Sequence, residues 1–102
     1  MAKVIAMYRQ PADPAAFDRY YFGSHLKTAR RIPGLKRYEV SRGAIGTLDG
    51  PAPYYLIATL TFDKVADVQT ALASPEGRAT AADIANFATG GVDIYFYDSE
   101  EI

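Results

Sequence analysis

The segment LKRYEVSRGAIGTLDGPAPYYLIATLTF, residues 35–62, decides the fold of this chain. Its two ends, residues 35–43 and 54–62, are rich in aromatic and β-branched side chains and predict two strands. Glycine and proline recur through residues 44–53 and predict a loop between them. We therefore expect an antiparallel pair of strands in the middle of the chain.

One strand and one helix precede this pair. Residues 3–9 (KVIAMYR) alternate in a way that predicts a strand. The helix that follows has Asp13 as its N-cap and Pro14 in its first turn. Pro33–Gly34 ends it, because neither residue continues a helix well.

A similar unit follows the pair. Asp63 is predicted to cap a short helix over residues 64–73. Ser74, followed by proline, begins a second helical segment over residues 75–88. Residues 92–98 (VDIYFYD) then predict the last strand.

The resulting order is β-α-β-β-α-β, which is typical of the ferredoxin-like α+β fold. In this fold the helices cover one face of a four-stranded antiparallel sheet. The chain has 102 residues, the size of one domain, so we expect a single domain over residues 1–102.

The uncovered face of the sheet predicts a homodimer. Residues 54–62 alternate between two sets, and both are largely apolar. The two sets are Leu56, Ala58, Leu60, Phe62 on one face and Tyr55, Ile57, Thr59, Thr61 on the other. The helices can cover only one face, and an exposed apolar face marks an association surface. Two copies with their sheet faces together are the simplest closed arrangement.

Composition excludes several classes of function. The formal charge is -1 and no basic stripe is present, so nucleic acid is not an expected partner. No apolar run is long enough to span a bilayer, and cysteine is absent, which favours a cytoplasmic protein without membrane contact. One histidine provides too few ligands for a metal site, and no nucleotide-binding motif is present. We therefore expect neither metal nor cofactor.

The single histidine, His25, is the main candidate for chemistry. Phe17, Tyr21 and His25 are spaced four residues apart, so they form the helical stripe that faces the sheet. His25 is either a core histidine held by a hydrogen bond or an acid/base group in a ligand pocket. Apolar burial should keep it neutral at neutral pH, with Tyr21 or Asp83 fixing its tautomer. Asp83 itself, a further catalytic candidate, either faces solvent or turns inward to orient His25 or a substrate proton.

We expect an apolar pocket in the space between the helices and the sheet. Its predicted lining residues, besides Tyr21, are Ile5, Met7, Phe17, Phe22, Ala58 and Phe87.

Three longer segments resemble the EthD family, named for a protein linked to the degradation of ethyl tert-butyl ether. They are FDRYYFGSHLKTARRIPGLKRYEVSRG, YYLIATLTFD and SPEGRATAADIANFATGG. The aromatic pair followed by histidine and PGL is the most characteristic part. The resemblance covers nearly the whole chain and implies a dimeric α+β barrel, a homodimer of ferredoxin-like domains.

The resemblance implies a pocket between helices and sheet, lined by Tyr21, Phe22 and His25, more than it implies one reaction. Members of the superfamily include cofactor-free monooxygenases, lactone isomerases, polyketide cyclases and haem-degrading enzymes. Residues 74–77 (SPEG) lack the histidines of the plant-type cyclases, and the haem-degrading pattern is not matched. Two functions remain: an enzyme acting on a hydrophobic small molecule in ether or aromatic-compound catabolism, with His25 as acid/base, or a non-catalytic binding or accessory protein.

Overall fold

The structure, a computed structural model, describes residues 1–102. The strands are β1 (Ala2–Arg9), β2 (Arg37–Val40), β3 (Gly46–Thr47), β4 (Gly50–Pro51), β5 (Tyr54–Phe62) and β6 (Val92–Asp98). The helices are α1 (Pro14–Tyr20), α2 (Leu26–Ala29), α3 (Val65–Ala73) and α4 (Pro75–Asp83), with a π-helical turn (Tyr21–His25) between α1 and α2 and a 3₁₀ turn (Ile84–Asn86) after α4. No helix is both long and apolar enough to cross a membrane.

The main sheet has four antiparallel strands in the order β2-β5-β1-β6. β3 and β4 form a small separate hairpin inside the predicted loop. The predicted ferredoxin-like α+β fold is therefore confirmed. β1 lies in the middle of the sheet, with Ala6 opposite Ala58 on one side and Ile94 on the other.

The hydrophobic core lies between the helices and one face of this sheet. Val4, Ala6 and Tyr8 on β1 are buried there, whereas Ile5 and Met7 alternate with them and point to the opposite face. The other core residues are Ala2, Phe17, Tyr21, Ala29, Ile32, Leu56, Ala58, Leu60, Phe62, Val68, Ala71 and Phe87.

The helix caps follow the sequence prediction at two of three places. Asp13 accepts a hydrogen bond from the Ala16 amide, and Ser74 accepts one from the Gly77 amide. The prediction that Asp63 caps α3 is wrong. The helix begins one residue later, with Lys64 at the N-cap, and the Asp63 carboxylate instead lies 3.6 Å from the Lys36 ammonium.

The first helical region contains one irregularity. Tyr21–His25 form a π-helical turn, closed by a hydrogen bond from the Leu26 amide to the Tyr21 carbonyl. A π turn inserts one extra residue into a helix, and such turns are frequent at functional sites. Phe17, Tyr21 and His25 are nevertheless all buried against the sheet, as the stripe predicted.

The face of the sheet away from the helices is only partly polar. Ile5, Met7 and Ile57 lie on it half-buried, and Tyr95 on β6 is 61% exposed. The prediction that Tyr55 shares this face is wrong. The pairing of β1 with β5 shifts next to Tyr8, which leaves Tyr55 as an extra residue, and its ring packs on Phe17 on the helix side.

Candidate functional site

A buried histidine and a carboxylate meet between the first and last helical regions. His25 ends the π turn, and its side chain is 2% exposed. Asp83 ends α4, and its side chain is 17% exposed. The two are joined by a hydrogen bond of 2.9 Å between His25 Nδ1 and Asp83 Oδ2. Asp83 therefore turns inward to His25 and does not simply face solvent.

Two further side chains hold the Asp83 carboxylate in place. Tyr20 donates its hydroxyl to Asp83 Oδ1 at 2.5 Å, and Asn86 donates its amide to the same oxygen at 2.9 Å. Asn86 also donates to the Tyr20 hydroxyl oxygen at 3.2 Å. Both carboxylate oxygens therefore accept hydrogen bonds, which fixes the orientation of the group that faces His25.

The electrostatics of this pair favour a neutral imidazole beside a carboxylate. Burial lowers the pKa of His25, and its hydrogen bond to Asp83 only partly offsets that effect. Burial alone would raise the pKa of Asp83, but the hydrogen bonds from Tyr20, Asn86 and His25 outweigh it and lower the pKa. An ionised carboxylate only accepts hydrogen bonds, so it selects the tautomer with the proton on Nδ1. Nε2 then carries the free lone pair.

Nε2 of His25 makes no hydrogen bond within the chain. Every side-chain nitrogen or oxygen that is fully shielded from solvent does have a hydrogen-bond partner, so Nε2 is not fully shielded. Nε2 therefore reaches accessible space. His25 lines a small, partly open cavity of about 70 Å³ between the helices and the sheet. Its walls are mostly apolar and include Val4, Ala6, Ile32, Ala58, Leu60 and Ile84. This volume is large enough for water molecules but smaller than a typical ligand pocket of roughly 300–1,000 Å³.

Aromatic rings surround the imidazole. The ring centroid of Phe87 lies 4.6 Å from that of His25, and the ring of Tyr21 lies 5.2 Å away. Tyr21 does not hydrogen bond to His25. Its hydroxyl pairs with that of Tyr38 at 2.6 Å, and burial raises the pKa of Tyr21. Tyr21 thus packs against the imidazole, while Asp83 orients it.

The predicted lining residues divide into three groups. Ala58 lines the cavity itself, and Phe17 and Phe87 are buried in the aromatic cluster beside it. The placement of Ile5 and Met7 in the pocket is wrong, because strand alternation puts them on the opposite face of the sheet. The prediction that Phe22 lines this cavity is also wrong. Its side chain is 48% exposed and borders a different cleft.

Phe22 instead borders a larger, open cleft of about 730 Å³ beside the small hairpin. This cleft is also lined by Asp18, Arg42 and Tyr55, and it shares no lining residue with the His25 cavity. No group of three or more His, Asp or Glu side chains in the chain is arranged to hold a metal ion.

Sequence reasoning missed three side chains of the candidate site. Asn86 follows Asp83 by three residues, a spacing that places both on one side of a helix and signals their contact. Tyr38 and Val4 lie on the helix side of their strands. Alternation separates Val4, Ala6 and Tyr8 from Ile5 and Met7, but it does not say which set faces the helices. The pairing of Ala6 with Ala58 in the structure decides it.

The architecture and this site define a class: a ferredoxin-like α+β domain with a histidine and aspartate pair at an apolar cavity between helices and sheet. Residues 9–91 match the model of the EthD domain. An uncharacterised 11.0 kDa protein from the thcB-thcC intergenic region of Rhodococcus erythropolis is 45% identical, over 100% of this chain and 98% of that protein. The chain belongs to the EthD family.

Solved structures agree with this assignment. The crystal structure of an EthD family protein from Bacillus halodurans superposes with a TM-score of 0.89 at 34% identity, covering 98% of this chain and 99% of that chain. A dimeric protein of unknown function with a ferredoxin-like fold from Bacteroides fragilis has a TM-score of 0.65 at 16% identity, covering 96% of this chain and 95% of that chain. The second likeness concerns the fold alone.

Proposed function

We propose that this protein is a cofactor-independent enzyme that transforms a hydrophobic small molecule at His25, in ether or aromatic-compound catabolism. The observation that carries the proposal is the orientation of the imidazole. Asp83 accepts the Nδ1 proton, Nε2 has no partner within the chain, and His25 lines the apolar cavity. A neutral histidine with a fixed tautomer is suited to take a proton from a bound substrate and to return it.

The step assigned to His25 is a proton transfer. Nε2 removes a proton from a C–H or O–H group of the ligand, and the imidazolium that forms is stabilised by the adjacent carboxylate. The proton then returns to another atom of the ligand. The apolar walls on the side of His25 strengthen this interaction because they lower the local polarity around the buried imidazole.

The second candidate is a binding or accessory protein without turnover. The observation that favours it is the completeness of the hydrogen bonding: Asp83 is fully engaged with Tyr20, Asn86 and His25. A partly buried polar network of this kind also serves to fix a unique packing arrangement.

The variant His25→Ala separates the two candidates. If the enzyme proposal holds, turnover of an active compound falls about a hundredfold or more, whereas its affinity changes little. The activity screen uses hydrophobic carbon acids in heavy water, where exchange of a ligand proton for deuterium reports the transfer without knowledge of the product. Arg78→Gln, an exposed substitution on α4, is the matched control. A binding protein would show ligand affinity without exchange, and His25→Ala would then cost only stability, about 1–3 kcal/mol.

We also propose that the chain forms a homodimer through the open face of the sheet. The half-buried Ile5, Met7 and Ile57 and the exposed Tyr95 support this arrangement. The Bacteroides fragilis relative of the same fold is itself described as dimeric.

A further inference from the structure

Basic side chains are concentrated in one short part of this chain. Residues 27–37 contain no acidic residue, although the whole chain has a formal charge of -1. The basic residues in this segment are Lys27, Arg30, Arg31, Lys36 and Arg37. The helix dipole explains the basic residues near the C-terminal end of α2, because that end carries a partial negative charge. It does not account for Lys36 and Arg37, which lie at the start of β2.

Three of these cations meet at a cleft of about 400 Å³ between α2 and β2. Arg30, Lys36 and Arg37 line it, and no acidic residue does. Lys36 has one distant partner, Asp63 at 3.6 Å, whereas neither Arg30 nor Arg37 forms an ion pair. The rest of the lining is mostly apolar: Leu26, Leu35, Tyr38 and Val40.

Tyr38 connects this cleft with the catalytic candidate. Tyr38 lines both the cleft and the 70 Å³ cavity that His25 also lines. Its hydroxyl is tied to that of Tyr21 at 2.6 Å, and this is the one hydrogen bond of its side chain. The cavity alone is too small for a ligand of ordinary size. Movement of the Tyr38 ring would join it to the cleft.

We propose that the cleft binds the oxyanion of an amphipathic small molecule, a carboxylate or sulfonate attached to an apolar body that extends past Tyr38 towards His25. This inference rests on the proposed function of His25 and adds the class of its ligand. Arginine suits the role because its planar guanidinium donates two parallel hydrogen bonds to such an anion. The apolar lining takes the adjoining carbon atoms, while Nε2 faces the far end of the molecule.

A pair of probes with the same aromatic body tests the inference. Anilinonaphthalene sulfonate carries the anion, whereas N-phenylnaphthylamine is its uncharged counterpart. We expect the sulfonate to bind more tightly, and Arg30→Gln to weaken it about tenfold, the loss of one charged hydrogen bond. The neutral probe should bind all variants equally. Arg78→Gln, which removes an unpaired cation outside the cleft, should leave both affinities unchanged.

The resonance of His25, the single histidine, reports whether the probe reaches the cavity. The expected result is a shift of its ring signals on addition of the sulfonate. If the neutral probe shifts these signals but the sulfonate binds no better, or Arg30→Gln binds the sulfonate like wild type, the ligand class is wrong and the proposed site stands. If neither probe shifts the signals, both the inference and the proposed ligand site at His25 are overturned.

Discussion

His25 Nδ1 lies 2.9 Å from Asp83 Oδ2, and this contact joins the first helical region to the last across 58 positions of sequence. The Asp83 carboxylate favours the protonated, positively charged form of His25, whereas burial disfavours that form. The balance between these two effects determines how readily His25 takes up a proton. It can be measured directly, because no other histidine contributes a signal.

The variant Asp83→Asn should lower the pKa of His25 further. The substitution removes the negative charge that raises this pKa and leaves burial unopposed. We also expect a loss of about 1–3 kcal/mol in the free energy of unfolding, since a charged hydrogen-bond acceptor is replaced. Titration of the His25 ring signals and urea denaturation measure the two effects. An unchanged or raised pKa would show that Asp83 does not act on His25 in solution.

The stability of the wild-type protein should depend on pH in a defined direction. The pKa of His25 is lowered from its ordinary value of 6.5, so the unfolded chain binds the proton more readily. The free energy of unfolding therefore decreases as the pH falls from above 6.5 through the folded pKa. Asp83, whose pKa lies below its ordinary 3.8, adds a second decrease at lower pH.

Urea midpoints at about pH 7.5 and about pH 5.5 test the first decrease, because this interval spans the ordinary range of histidine. The variant His25→Gln is the control and should remove this decrease while retaining the acidic one. Equal midpoints for the wild type at both values would contradict the assignment of a lowered pKa to His25.

Tyr20 should act on His25 only through Asp83. Its hydroxyl donates to Asp83 Oδ1, and this hydrogen bond contributes to the low pKa of the carboxyl. The variant Tyr20→Phe should therefore raise the pKa of Asp83 towards its ordinary value, as followed by carbon NMR of the carboxyl group. Tyr95→Phe, at a tyrosine that makes no side-chain hydrogen bond, is the matched control. Equal titrations of Asp83 in both variants would show that Tyr20 does not hold the carboxylate.

Much of the fold could be predicted because its signals are local. Asp13 and Ser74 cap their helices through contacts three residues away, and the apolar stripe of α1 depends only on helical spacing. The prediction failed where an extra residue changes the direction of a side chain. Tyr55 is such a residue in β5, and alternation alone cannot show where a strand shifts its register.

The candidate site was only half predictable, because the contact between His25 and Asp83 joins residues that are far apart in the sequence. Helical spacing places His25 towards the sheet, but it does not determine which side chain from a distant helix meets it. Asp83 was one of two partners that the sequence allowed. The assignment of Ile5 and Met7 to the cavity was an error of strand face, since the residues opposite Ala58 and Leu60 are Ala6 and Val4.

A charge on the open face of the sheet should prevent dimer formation. Ile57→Asp places a carboxylate at the centre of this face and is expected to dissociate the dimer and destabilise the chain. Tyr95→Asp is the milder test, because this side chain is 61% exposed on an edge strand and the domain should remain folded. Ala79→Asp, exposed on α4, is the control for added charge. Sedimentation velocity at micromolar concentration measures the result, and a monomeric wild type would contradict the proposal.

Two glycines should respond in opposite ways to alanine. A Cβ on Gly23, inside the π turn, would meet no atom within 4 Å, so alanine fits and should stabilise the helix by up to about 1 kcal/mol. A Cβ on Gly77 would collide with the Ala71 carbonyl oxygen where α3 and α4 meet, and alanine there should cost about 1–3 kcal/mol or more. Urea denaturation of the two variants measures both changes. Gly23 lies two residues before His25, so the His25 signals report on the geometry of the π turn. If Gly23→Ala destabilises the protein and shifts these signals, the π turn itself requires glycine, and the prediction from open space is wrong.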